Sequence, residues 1–350
     1  RTVPHGNAGG PLTMPCRPLM WSRLPRPVVE YWGRKNIPPP DPGHDRTPAG
    51  WHLQDPLFCR AKPMFSADQY QLLDFGGGRK LESFAHLVVD RPSPVSEGID
   101  LADPDRWQEA DLRYERDQGG SGKWIPLSGK QPLTDWQLIH GDFSLALRMT
   151  PSGHLGVFPE QATNWDWIAH QVKRSSRPLK VLNLFAYTGG STLAAANAGA
   201  EVVHVDAARN VVSWARQNAD ASGLGDHPIR WIDEDARLFV HRERKRGKQY
   251  DIVILDPPSY GHGPDGQAWK IHQHLPALLE DCAALTGQQR AAMLITCHTP
   301  TLGPAELESL VADTVFGHCQ AGVSTQSLNT PSVDGRLLPA GTVCRWPESS

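Results

Sequence analysis

The stretch Val181–Leu182–Asn183–Leu184–Phe185–Ala186–Tyr187–Thr188–Gly189–Gly190–Ser191 constrains the fold more than any other part of the chain. Its first half is an apolar run of the length of a buried strand. Two adjacent glycines then break the run, and glycine enters the left-handed backbone region at little steric cost. Ser191–Thr192–Leu193–Ala194–Ala195–Ala196 supplies the helix that follows. A strand, a tight glycine turn and a helix start in direct succession bring free backbone N–H groups to the edge of a parallel sheet. A nucleotide-like ligand can lie there against bare backbone.

The alternation continues downstream. Glu201–Asp206 reads as a second strand ending in an acid, and residues 210–221 as a helix. Ile229–Ile232 reads as a third strand, with a helix from Arg237, and Tyr250–Leu255 as a fourth. Leu275–Leu285 is helical and Ala292–Thr296 is a fifth strand. Near-continuous apolar strands separated by helices imply an α/β fold with a parallel, Rossmann-like sheet covered on both faces. Right-handed crossovers then place every strand's C-terminal end on one rim. Two further strand-like runs, at about 322–328 and 340–346, fit an antiparallel hairpin closing the sheet.

The first half has a different texture. Residues 1–62 carry nine Lys/Arg against four Asp/Glu and include Pro38–Pro39–Pro40. Such a segment holds neither a long helix nor a central strand. It reads as a proline-rich basic N-terminal arm, extended or wrapped, with phosphate contact as the sharper alternative. From residue 63, short strands are expected at Tyr70–Phe75, Ser83–Val89, Gly122–Ile125, Trp136–Ile139 and Phe143–Arg148. They predict a small antiparallel β-rich domain over 63–158, with a role in substrate recognition, ahead of a catalytic domain over 159–350.

Composition sets limits on function. A net charge of −3 gives no global electrostatic case for nucleic acid. The six cysteines lack CxxC or Cys/His spacing, so no metal site is expected and a reducing, cytoplasmic setting is. No apolar run approaches a membrane span, and no signal peptide is expected. The oligomeric state is not legible.

Several residues converge on the expected rim. Asp206 ends the second strand seventeen residues after Gly189, where a carboxylate can accept from both hydroxyls of a ribose or simply cap the next helix. Asp235–Ala236 follows the third strand. There an acid can accept from an exocyclic amine beside a small residue that leaves room for a ring, or act as an N-cap. Asp256–Pro257–Pro258–Ser259–Tyr260 follows the fourth. Two prolines end the strand and fix a rigid exit loop, and the acid points into the rim. Gly261–Gly266 reads as a flexible lid-like loop leading to Trp269–Lys270, which could face a substrate. A nicotinamide dehydrogenase would want G-x-G-x-x-G after the first strand, a spacing that Tyr187–Thr192 does not offer.

Leu182–Gly190, Val205–Asp206, Trp214–Ala215–Arg216–Gln217–Asn218 and Asp256–Pro257–Pro258, with the upstream run Gly156–Gln161, resemble a class I S-adenosylmethionine-dependent methyltransferase. More narrowly, they resemble the group of 23S rRNA large-subunit methyltransferases of the cytosine-C5 type. The resemblance covers roughly 63–350 and is more specific for cofactor and fold than for substrate. It implies that Phe185, Ala186, Tyr187, Thr188, Gly189 and Gly190 carry the methionine moiety and sugar of S-adenosyl-L-methionine, with Gln161 at the methionine end. Asp206 with Ala207 would take the ribose, Asp235 and Ala236 the adenine, and Asp256 with Pro257 would stand between cofactor and acceptor. The acceptor so implied is a base of ribosomal RNA. A protein or small-molecule acceptor, or a non-catalytic cofactor- or RNA-binding module, are the competing classes. Methylation at cytosine C5 needs a thiolate to add to the neighbouring ring carbon. Cys297 is the candidate, although Thr296 and His298 stand where related enzymes have serines, and a buried structural cysteine is the alternative. An exocyclic amine held by Asp256 needs no nucleophile.

Overall fold

Glycines Gly77 (φ 54°) and Gly78 (φ 74°) turn the first strand, β1 (Tyr70–Gly76), into the second, β2 (Arg79–Phe84). The run Ser83–Val89, expected as one strand, is instead a corner. Ala85 takes φ 53° and the chain doubles back, so that β3 (Leu87–Pro92) pairs with β2 and sets Phe84 opposite Leu87. Both residues are buried, so the apolar run continues through the turn and hides it from sequence periodicity. A long connection then delivers β4 (Leu112–Arg116), which was not expected from the sequence, parallel to β3, and β5 (Gly122–Pro126) pairs antiparallel with β4. The sheet β1–β2–β3–β4–β5 is therefore mixed, not purely antiparallel. A separate hairpin, β6 (Gln137–His140) and β7 (Phe143–Ala146), follows. The computed structural model describes residues 64–117, 121–130, 132, 135–263 and 266–348; the basic arm over 1–62 lies outside them.

The second half follows the expected alternation. In order come α1 (Ala162–Lys173), β8 (Lys180–Leu184), α2 (Gly190–Asn197), β9 (Glu201–Asp206), α3 (Arg209–Ala221) and β10 (Ile229–Asp233). Then come α4 (Ala236–Lys245), β11 (Ile252–Leu255), a small hairpin of β12 (Tyr260–His262) and β13 (Ala268–Lys270), and α5 (Ile271–Thr286). β14 (Ala292–Cys297), α6 (Pro304–Val311), β15 (Ser324–Pro331) and β16 (Leu337–Trp346) complete the chain. The main sheet has the order β10–β9–β8–β11–β14–β16–β15. Its first five strands are parallel, and β16 and β15 run antiparallel as the closing hairpin. The strand order reverses between β8 and β11, and a crevice opens at such a switch point beyond the strand ends.

Strand alternation splits the core between the two faces of the sheet. On β14, Met293, Ile295 and Cys297 pack with α4, α5 and α6, while Ala292 and Leu294 pack against α1 and α2 on the other face. A third apolar cluster joins the two sheets. Phe84, Leu112, Leu138 and Leu145 from the N-terminal strands pack with Trp165 of α1, Leu193 of α2 and Ala219 of α3. Polar bonds reinforce this contact: the Ser144 and Ala146 amides donate to Ser222 Oγ and Asn218 Oδ1 at 3.0 Å each. Among the described residues, no helix is long and apolar enough to cross a membrane.

Candidate active site

The turn after β8 carries two side-chain-bearing residues in the left-handed region, Phe185 (φ 55°) and Tyr187 (φ 49°), ahead of Gly189 (φ 95°). Such conformations cost on the order of 1–3 kcal/mol each and persist only where surrounding structure over-determines them. Here the surroundings do so. The Ala186 amide donates to Val205 O at 3.1 Å and the Tyr187 amide to Asp206 Oδ2 at 2.9 Å. Thr188 Oγ1 donates to Gly156 O at 2.5 Å, and Asn218 Nδ2 donates to Thr188 O at 2.9 Å. Gly190 has no room for a side chain, because a Cβ would lie 2.5 Å from the Trp165 ring. Beneath the turn, Asn183 Nδ2 donates to Thr192 Oγ1 at 2.9 Å, and that hydroxyl lies 2.9 Å from His204 Nδ1.

A cavity of about 650 Å³ opens on the rim. Phe158, Phe185, Val205, Ala236 and Trp269 give it apolar walls, and Asp206, Ala207, Asp235, Asp256 and Pro257 line it. A smaller recess of about 40 Å³ adjoins it through Phe158, Phe185, Tyr187 and Asp256, and holds Gln161, Ala186, Thr188, Gly189 and Gly190. The structure thus gathers all the expected cofactor-side residues around one cleft. Trp269 is buried against Phe185, with ring centroids 4.9 Å apart, and donates from Nε1 to Pro258 O at 2.6 Å. It forms a wall of the cavity. Residues 260–270, apart from the undescribed 264–265, form the β12–β13 hairpin.

The carboxylates differ in their surroundings. Asp206 is held by the Tyr187 amide and by the Ala208 amide at 3.0 Å, and burial raises its carboxyl above the usual range. Asp235 caps α4 through the Arg237 amide at 2.8 Å and pairs with the Arg237 guanidinium at 2.8 Å. Burial opposes its ionisation, but Arg237 and the cap outweigh burial and hold it below the usual range. Asp256 Oδ1 accepts from Thr296 Oγ1 at 2.5 Å and lies 3.1 Å from His298 Nε2. Its Oδ2 has only a long 3.4 Å contact with Gln161 Nε2. His298 Nδ1 stands 2.6 Å from the Ala340 carbonyl, so both ring nitrogens face acceptors. Partial burial works against the charged imidazole, yet Asp256, Glu160 and that carbonyl push it up to about 9. Thr296 and Asn218 stood out in the sequence only as neighbours or motif members, and lone polar residues inside apolar or helical runs carry no signal of the bonds they make.

Cys297 is not brought to this cleft. It is 1% exposed, packs with Ile295 and Met293 on the α4–α6 side, and lines neither the cavity nor the recess. Burial, then Asp256 and Cys344, pushes its thiol up to about 12, away from the thiolate. The alternation of β14 explains this, since Thr296 faces the cleft and its neighbour therefore faces the core. Tyr260 is also outside, more than half exposed, with its hydroxyl 3.0 Å from His262.

The sequence from 102 to 315 matches the family model of S-adenosylmethionine-dependent methyltransferases. The chain belongs to the S-adenosylmethionine-dependent methyltransferases. A methyltransferase of this family from Agrobacterium tumefaciens is 36% identical, with a TM-score of 0.75 over 82% of this chain and 93% of that one. The structure of SMU.776 complexed with SAH, 17% identical with a TM-score of 0.60 over 79% of this chain and 76% of that one, shares the fold. Among curated proteins, ribosomal RNA large subunit methyltransferase I of Aeromonas salmonicida is 26% identical over 155 residues, 44% of this chain and 38% of the relative. The protein of the same name from Salmonella enteritidis is 23% identical over 210 residues, 55% of this chain and 51% of that one. The chain thus spans about half or less of these curated relatives.

The methyltransferase's cleft fits S-adenosylmethionine on its own chemistry. A carboxylate offers about four acceptor positions, and the backbone amides occupy two on Asp206, leaving two for vicinal hydroxyls. The apolar walls between Val205 and Trp269 suit a flat ring.

Proposed function

We propose that this methyltransferase acts on a base of ribosomal RNA, in the cytoplasm. Asp206 and Ala207 take the ribose of S-adenosylmethionine, Asp235 and Ala236 its adenine, and Gln161 with Phe185–Gly190 its methionine end. When bound there, the cofactor supplies a methyl group already activated by the sulfonium. The chain's own task is alignment of the acceptor, which is worth several kcal/mol of barrier. The RNA reading is supported by the curated relatives, which are named for ribosomal RNA.

The observation that carries the choice of atom is the contrast between Asp256 and Cys297. Asp256 borders the cavity with Oδ2 nearly unengaged. Thr296 and His298 fix Oδ1 and so fix the carboxylate plane. Such a group accepts a hydrogen bond from an N–H of a base, orients its lone pair, and takes the proton once the nitrogen carries the methyl. Cys297, turned into the core with its thiol pushed up by burial, is poorly placed to add to a ring carbon. This favours a nitrogen acceptor over cytosine C5.

Tritium transfer from labelled S-adenosylmethionine tests the substrate class. Ribosomal RNA made by transcription, and so free of modification, should become labelled, with the label recovered on a base nitrogen after nuclease digestion. Label confined to protein or small-molecule fractions would overturn the RNA reading, and label on C5 would overturn the nitrogen reading alone.

A further inference from the structure

A third cavity, of about 170 Å³, lies between the N-terminal sheet and the closing β15–β16 hairpin, and the proposed function assigns it no role. It shares His154 and Phe158 with the large cavity, so the two adjoin along that wall. Lys80, Arg91 and Arg116 line it. Lys80 and Arg91 both serve a single carboxylate, the fully buried Glu82, at 3.0 Å and 2.9 Å. One positive charge is left in excess. Arg91 is held further by the Gly153 carbonyl at 3.2 Å, so its position does not depend on a ligand. Arg116, exposed at the end of β4, makes no ion pair among the described residues and adds a second charge.

Glu160 is the remaining ionisable wall. It is 8% exposed, and its side chain has no hydrogen-bond or ion-pair partner beyond its own backbone among the described residues. Burial raises its carboxyl above the usual range, against the pull of Lys80 and His298. The cations register on His154 at the junction, whose imidazole is lowered to about 4 by loss of water and then by Arg91, Lys80 and Arg116.

We propose that this cavity is a subsite for a backbone phosphate of the polynucleotide whose base enters the adjoining cleft, set by Lys80, Arg91 and Arg116. The proposal rests on the RNA reading above. A strand running across the His154–Phe158 wall would place one base beside Asp256 and a neighbouring phosphate among the three cations. Phosphate contacts of this kind position a strand without reading its sequence.

Binding of a fluorescein-labelled single-stranded fragment of ribosomal RNA, measured against salt concentration, tests it. Each lost phosphate contact lowers the slope of log K against log salt by about 0.7 for a single strand. Arg116→Gln should lose one such step and raise KM for RNA several-fold, with kcat, S-adenosylhomocysteine affinity and Tm held. Lys80→Gln, which leaves Glu82 paired with Arg91, should lower the slope and raise KM likewise, with a loss of Tm from the broken pair. Unchanged slope and KM in both variants, in a protein that binds and methylates RNA, would overturn the subsite alone. A wild-type protein that neither binds nor methylates RNA would overturn the RNA reading and the subsite with it.

Discussion

Asp256 and Cys297 stand at the ends of neighbouring strands, yet one borders the cleft and the other belongs to the core. The difference predicts opposite outcomes for two substitutions. Asp256→Asn keeps the shape but cannot take a proton, so kcat should fall by roughly 10²-fold or more at unchanged cofactor affinity. Cys297→Ala should leave kcat near the wild-type value and register only as a modest loss of Tm. Single-turnover kinetics on labelled RNA separates the two, and an inactive, folded Cys297→Ala protein would restore the thiolate mechanism. His204 gives a pH signature. It is fully buried, its Nε2 has no partner among the described residues, and burial lowers it to about 3. Below its ordinary value near 6.5, the unfolded chain binds a proton that the native state refuses. Stability from this group is therefore complete above pH 6.5 and is lost toward pH 3, by at most about 1.4 kcal/mol per pH unit. Urea unfolding of the wild type and of His204→Leu across that window should show a steeper loss of stability in the former. Residue identity made Asp206, Asp235 and Asp256 legible in the sequence, because an acid directly after an apolar strand stands out. Whether a strand-end side chain faces cleft or core turns on the register of a single residue, which is why the sequence left Cys297 between nucleophile and buried structural cysteine.

At the scale of elements, the parallel strands and their helices were legible because fully buried strands read as unbroken apolar runs. The N-terminal sheet was less so. The Ala85 corner and the parallel pairing of β4 depend on contacts far apart in sequence, and no local pattern announces them. The glycine turn lies between these cases: its glycines announced a turn, while the left-handed Phe185 and Tyr187 did not. Gly190 is where the element should be most sensitive. Gly190→Ala would drive a methyl group into Trp165, and overpacking of this kind costs typically about 1–3 kcal/mol. Differential scanning calorimetry should show that loss, and titration calorimetry a weaker S-adenosylhomocysteine affinity. Unchanged values would mean that α1 yields easily at Trp165.

For the whole molecule, the division at 158/159 drawn from sequence meets an apolar cluster that crosses it. Leu138, Leu145 and Leu155 pack with Trp165, Leu193 and Ala219. Residues 159–350 produced alone would expose that surface on α1, α2 and α3. The segment should bind 8-anilinonaphthalene sulfonate and lose S-adenosylhomocysteine affinity, whereas 63–350 should do neither. A well-folded, cofactor-binding 159–350 would make the two parts independent domains.

The hydrogen bonds that close the turn have a kinetic consequence. The amides of Ala186, Tyr187 and Gly189 are already satisfied within the protein, and Thr188 is tied to both Gly156 and Asn218. A turn already closed by its own bonds asks for no ordering at encounter, and it adds no population penalty to apparent affinity. In stopped-flow mixing, the observed rate of cofactor association should rise in a straight line with concentration and show no plateau.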